Sequence, residues 1–176
     1  MTVRVVFYLF LVLSTQLFAS SSSYRQGIGT SMYFTQLGEL KHRAELGDPN
    51  AQFLLGNLYF TPPEGTSIKP NLGKAADYYF QAAIRDHVGA QYNLGVLYFQ
   101  GKGVPENWVL ASAWFDLAAK NQSKLAKSIR KKAENSLAQL TANFNKEQLQ
   151  EAKTWTEKYH QVIVKKLYRT AKLPKL

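Results

Sequence analysis

A chain of 176 residues with a 45% hydrophobic and 13% aromatic composition has the apolar content for one globular core and is excluded from the disordered classes. It contains no cysteine, which rules out disulfides, thiolate metal sites and cysteine nucleophiles. The formal charge of +10 arises in the last third: residues 1–119 hold 8 Lys/Arg against 8 Asp/Glu, and residues 120–176 hold 14 against 4. Such a field attracts anionic lipid, nucleic acid or an acidic protein without choosing among them.

The chain opens with Arg4, an almost wholly apolar run from Val5 to Phe18, and then the small residues Ala19 and Ser20 to Ser23. Spanning a bilayer takes roughly 20 apolar residues, and this run is shorter and broken by Ser14, Thr15 and Gln16. It reads as a secretory signal peptide over residues 1–21, cut after Ala19 or Ser21. A periplasmic or secreted protein is therefore expected, and nucleic acid falls away as a partner. Residues 22–36 read as an N-terminal linker.

Sliding the chain by 39 places sets AQFLLGNLYF (Ala51 to Phe60) over AQYNLGVLYF (Ala90 to Phe99), identical at seven of ten positions. Downstream the offset falls to 36 and sets KAADYYFQAA (Lys74 to Ala83) over LASAWFDLAA (Leu110 to Ala119). Both blocks carry apolar or small residues at helical spacing, as in Ala90, Leu94, Leu97 and Tyr98, or Ala111, Phe115, Ala118 and Ala119. The connectors TPPEGTSIKP and QGKGVPE cannot continue a helix, and each is followed by an asparagine, Asn71 or Asn107, whose side-chain oxygen can cap the next one. The unit is helix, turn, helix. Gly56 and Gly95 sit inside first helices, where glycine costs about 1 kcal/mol against alanine; close approach of the partner helix at its alanines is the expected compensation. One such pair cannot bury both its faces, so pairs stack into a solenoid.

Beyond Lys120, Leu125, Ile129, Ala133 and Leu137 form one apolar stripe, and Leu149, Ala152, Trp155, Tyr159 and Val162 another. They define two capping helices within 120–162, and 163–176 reads as a basic C-terminal tail.

The run Ala90-Gln-Tyr-Asn-Leu-Gly-Val-Leu-Tyr, the Gly101-x-Gly103-Val-Pro turn and Ala111-x-x-Trp114-Phe-x-x-Ala-Ala resemble the Sel-one-like repeat (SLR), a cousin of the tetratricopeptide repeat. The resemblance covers 37–119, as a partial unit followed by 51–83 and 90–119. It implies an all-α fold, a short right-handed α-solenoid of stacked helix-turn-helix repeats closed by a C-terminal helix pair. It also implies a protein–protein interaction adaptor or scaffold whose partner lies on the concave face of the first helices. Superposing the tetratricopeptide pattern points Leu54, Asn57, Phe60, Tyr92, Asn93, Val96 and Phe99 to that face. Aromatic side chains there would anchor a partner and carboxamides would pair with its backbone; the same aromatics also suit an inter-repeat core. A cysteine-rich branch of the family is associated with binding or hydrolysing penicillin-like compounds. A cysteine-free chain stands outside that branch, and a small cell-envelope enzyme acting on β-lactam or cell-wall-like substrates is kept as an alternative.

His42, His87 and His160 share no ligand spacing, Gly101-Lys102-Gly103 lacks the phosphate-loop frame, and there is no Gly-x-Ser-x-Gly elbow. No catalytic residue, metal or cofactor is therefore assigned. Lys165, Lys166, Arg169 and Lys172, interleaved with apolar residues, are the expected contact with an anionic membrane surface or an acidic partner, which makes peripheral membrane binding a second alternative.

Overall fold

The structure, a computed structural model, describes residues 35–123 and 126–172, with only the backbone at 168 and 170–172. The expected signal peptide, residues 22–34 of the linker, Leu125 and residues 173–176 lie outside the described residues. The chain divides into two compact units, Met1–Leu40 and Lys41–Leu176. Of the first, residues 35–40 are described and are helical. The rest concerns the second unit.

Its helices are α1 (41–45), α2 (Pro49–Phe60), α3 (Leu72–Ala83), α4 (Val88–Gln100), α5 (Trp108–Lys120), α6 (Lys127–Thr141) and α7 (Lys146–Lys172). Each repeat helix starts where a side chain takes up its orphan amides. Asn71 Oδ1 accepts from the Lys74 amide at 2.8 Å and Asn107 Oδ1 from the Leu110 amide at 2.8 Å, as their sequence positions predict. The first helices are capped by Asp48, which accepts from the Asn50 and Ala51 amides, and by His87, whose Nδ1 accepts from the Ala90 amide at 3.1 Å. Asp48 and His87 stand 39 residues apart, the offset of the repeat.

The glycines inside α2 and α4 are covered chiefly by rings; the close approach at an alanine that the sequence favours is found at Gly95, where a Cβ would stand 3.2 Å from the Ala111 carbonyl, and not at Gly56. A Cβ on Gly56 would stand 2.5 Å from the Tyr79 ring, and one on Gly95 would stand 2.7 Å from the Phe115 ring. Tyr79 and Phe115 are equivalent in the second helices, and both are buried. An aromatic on one helix thus fills the notch left by a glycine on the other, and the buried ring area offsets the glycine's helix penalty.

A second repeated device joins successive units. Gln52 and Gln91 are buried, and their Nε2 atoms donate to the carbonyls of Ala44 at 2.9 Å and of Ala83 at 3.3 Å, at the ends of α1 and α3. Each of these closing carbonyls also accepts a turn amide, Gly47 N–H at 3.0 Å and Asp86 N–H at 3.1 Å, so the glutamine of the next unit supplies a second donor and ties the units together. The α4–α5 turn makes the remaining tight contact. Gly103, at φ 73°, lies so close to the Leu72 carbonyl that a Cβ there would stand 2.2 Å from its oxygen. This turn therefore requires glycine for its backbone conformation and for the space it leaves.

After Lys120 the chain turns through Asn121, whose Nδ2 donates to the Asp86 carbonyl at 3.1 Å and its Oδ1 at 2.9 Å, and Arg130 on α6 donates to the Asn121 carbonyl at 2.9 Å. Helices α6 and α7 both pack on α5 as the closing pair. The buried stripe of α7 runs through Ala152, Tyr159 and Ile163. It ends on Ile163 rather than on Val162, because four residues on from Tyr159 is the position that returns to the same face. Tyr159 stacks on buried Trp114 with ring centroids 4.3 Å apart and meets Phe80 of α3 edge-on at 6.3 Å. Residues 163–172 are the last turns of this helix, where a basic tail was expected.

Candidate partner-binding groove

The seven residues expected on the binding face separate into two groups. Asn57 and Asn93 converge on the hydroxyl of Tyr79. Tyr79 Oη donates to Asn57 Oδ1 at 2.7 Å. Burial raises the Tyr79 phenol above its usual range, partly offset by a hydrogen bond from the Asn93 side chain. Both carboxamides therefore serve a buried phenol that would otherwise lack partners. Phe60 is half-buried against the main core, and Leu54 stands exposed.

Tyr92, Val96 and Phe99 form the second group, on one face of α4. They line a cavity of about 410 Å3 that is completed by Trp108 and Phe115 of α5, by Ser136, Gln139 and Leu140 of α6, and by Gln100 and Asn143. Tyr92 leans on Phe115 with centroids 5.5 Å apart, and Phe115 is held in turn over Gly95. Phe99 and Trp108 pair at 6.0 Å. They nevertheless remain 44% and 45% exposed, unusual for two large rings already in contact. The wall is aromatic and aliphatic, and the polar groups of its lining residues are three carboxamides, the hydroxyls of Ser136 and Tyr92 and the Trp108 indole N–H, with no carboxylate or ammonium among them. Such a lining favours apolar anchors and backbone amides over charged ligands.

Trp108, Gln139 and Leu140 were missed from sequence. Trp108 follows the capping Asn107 and so reads as an ordinary first helical residue. Leu140 continues the Ala133–Leu137 stripe by one further step of three, a signal that was available.

The four basic residues are distributed along the end of α7. Lys166 and Arg169 line a separate recess with Arg85, Lys165 is exposed outside it, and Lys172 is in the helix with only its backbone described. Burial, and then the charges of Arg85 and Arg169, push the Lys166 ammonium below its usual value. Of the histidines, His42 and His160 are exposed, whereas His87 is spent on the α4 cap and stacks on Phe53 at 4.3 Å. Among the described residues no group of three His, Asp or Glu side chains converges as metal ligands would, and no helix is long and apolar enough to cross a membrane.

Stacked helix pairs whose capping, notch and carbonyl contacts recur at the repeat offset, closed by a helix pair, define a short α-solenoid of the helical-repeat class. The Sel1 repeat family model matches residues 49–87 and 88–123, and these residues are Sel1 repeats. Sel1 repeats typically form protein–protein interaction scaffolds and are generally non-enzymatic. The chain is similar to a protective antigen from uropathogenic Escherichia coli strains that displays an SLR fold, at 29% identity and a TM-score of 0.57 over 80% of this chain and 28% of that one. It is also similar to a Sel1 repeat protein from Oxalobacter formigenes, at 35% identity and a TM-score of 0.44 over 53% of this chain and 26% of that one. The chain thus spans little more than a quarter of the length of either. No curated protein matches it.

Proposed function

We propose that the protein is an exported adaptor that holds a partner polypeptide in the groove between α4 and α6. One observation carries the reading: Phe99 and Trp108 are packed on each other, yet each keeps close to half of its surface open above a cavity rimmed by carboxamides. Large, rigid aromatic anchors surrounded by neutral hydrogen-bonding groups are what a helical or extended segment with apolar side chains requires. The apolar leader Val5 to Phe18 supports export. The groove's side chains supply contact and hydrogen bonds and include no acid–base pair, which supports binding without turnover.

The test is photocrosslinking in intact cells from a benzoylphenylalanine placed at Gln139, compared between the native background and the Phe99→Ala, Trp108→Ala double variant. A protein adduct that disappears in the double variant, while helical content is unchanged, is expected. An identical adduct in both backgrounds would rule out the groove.

A further inference from the structure

Helix α7 displays how a helix settles on this repeat. Its Tyr159 stacks on Trp114 with centroids 4.3 Å apart, and one turn further Ile163 is buried in the cluster that holds Ile84 and Trp114, with Tyr98 packed against it. The repeat offset of 39 sets Tyr98 on Tyr59 and Ile84 on Glu45, and that of 36 sets Trp114 on Tyr78 and Ala113 on Asp77. Tyr59, Tyr78, Glu45 and Asp77 line one cavity of about 320 Å3. The same seat therefore occurs twice: the chain's own α7 closes it in one unit, and among the described residues it is left open in the unit before.

The open seat keeps an aromatic floor and changes its border. Tyr59 and Tyr78, both half-buried, stack at 5.7 Å with their planes 5° apart. Glu45 and Asp77, both exposed, stand where the closed seat has Ile84 and Ala113, and neither carboxylate forms an ion pair among the described residues. The floor already receives a cation from within the chain, since Lys74 Nζ lies 5.3 Å from the centroid of the Tyr59 ring. Burial, and then the neighbouring Tyr59 and Glu45, hold the Tyr78 phenol above its usual range, so it keeps its proton at neutral pH. A wholly apolar helix face would leave the two carboxylates without a counter-charge. A face with one ring and one cation meets both floor and border.

We infer that this seat docks an amphipathic helix of a partner protein that presents an aromatic side chain with a lysine or arginine one turn away. The ring takes the place that Tyr159 takes on Trp114, and the cation takes the place of Ile163, because Glu45 replaces Ile84 beneath it. The seat shares no residue with the groove between α4 and α6.

The probes are two fluorescently labelled peptides of residues 151–166, held helical by a staple between positions 157 and 161 on the face away from Tyr159. One has the native sequence and the other carries Ile163→Arg. Each is titrated by anisotropy with the full chain at about 0.15 M salt, where distant charges are screened. The Ile163→Arg peptide is expected to bind saturably and about twofold to fivefold more tightly than the native-sequence peptide, and to lose binding when Tyr159→Ala is added. On the protein, Tyr78→Ala should weaken binding roughly tenfold, and Glu45→Gln with Asp77→Asn should erase the advantage of the arginine. Phe99→Ala with Trp108→Ala, in the groove, should change it by less than about twofold.

No saturable binding by either peptide overturns the inference, and equal binding by both overturns the cation. Binding indifferent to Tyr78→Ala and to the carboxylate variant overturns it as well, since the peptide would then have taken the seat of α7. Self-association of the full chain that Tyr78→Ala abolishes, seen by sedimentation velocity in the absence of peptide binding, would assign the seat to a second copy instead. Circular dichroism accompanies every variant. If Tyr78→Ala perturbs the fold, the carboxylate variant, confined to two exposed side chains, decides.

Discussion

Replacing Gly95 by alanine sets two known magnitudes against each other. In an open helix the change gains about 1 kcal/mol of helix propensity. Here the new methyl would stand 2.7 Å from two carbons of the Phe115 ring and 3.2 Å from the Ala111 carbonyl, whereas ordinary contact begins at 3.4 Å. The ring would have to retreat by about 0.7 Å to reach ordinary contact distance. It cannot swing into solvent, being 3% exposed and braced by Tyr92, and the carbonyl belongs to the α5 backbone. Overpacking of a well-filled site costs about 1–3 kcal/mol, so the net change is a loss of about 0–2 kcal/mol once the propensity gain is subtracted. For a chain of this size the upper end lowers the melting temperature by roughly 4–8 °C. Thermal melts followed by circular dichroism at 222 nm would measure it, with Gly38→Ala as the control. Gly38 is helical and a Cβ there meets nothing within 4 Å, so that variant should gain stability. Adding Phe115→Leu to Gly95→Ala should recover part of the loss. If Gly95→Ala stabilises as Gly38→Ala does, the ring-in-notch account of the repeat is wrong.

Three further outcomes follow from the contacts described. Burial holds the His87 imidazole below its usual value of about 6.5, against the opposing pull of its backbone hydrogen bond and of Asp48. Its folded pKa is thus below its unfolded one, so its contribution is complete above about pH 6.5 and is lost as pH falls toward the folded value, when Nδ1 takes a proton and ceases to accept from the Ala90 amide. Urea titrations from pH 7.5 to 5 should show stability falling in the native chain and a flatter profile in His87→Asn, whose oxygen caps without titrating. Tyr159→Ala removes the ring stacked on Trp114 and should cost about 2–4 kcal/mol in the same assay. Tyr79→Phe deletes a hydroxyl with two carboxamide neighbours and should cost about 1 kcal/mol; Asn57→Ala should cost as much or more, because it strands a buried donor instead of removing it.

The repeat offset made a good part of this architecture legible. Once Ala51–Phe60 is laid over Ala90–Phe99, the equivalences of Gly56 with Gly95, Gln52 with Gln91 and Asp48 with His87 are on the page, and Asn71 and Asn107 announce their caps. What the offset cannot give is the partner across each contact. The glycines were assigned to alanines because small residues accompany close helix approach, whereas the neighbour that fills the space is a ring carried on the other helix. Asn93 looked like a free carboxamide, since nothing local indicates that Tyr79, 14 residues upstream, has its hydroxyl within reach. The groove was half legible for the same reason. Tyr92, Val96 and Phe99 come from one helix and are read from its period, whereas Leu140 and Gln139 depend on where α6 comes to rest. Arg85 and Lys166 are 81 residues apart, and only the course of α7 brings them together.

That course also changes how the molecule should come apart. A row of repeats touching only their neighbours unravels from its ends, one unit at a time, and loses its last member without consulting the first. Here α7 passes from Trp114 to Phe80, buries Ile163 in the core shared with α3 and α4, and finishes beside Gly47 and Pro49 at the opposite end of the repeat array. The last helix is a buckle joining the tail of the array to its head. Contacts that α7 makes beyond its neighbour α5 should couple distant units, so unfolding is expected to be closer to one event than to stepwise peeling, and an inserted repeat would carry Phe80 and the α3–α4 core away from the helix that now reaches them.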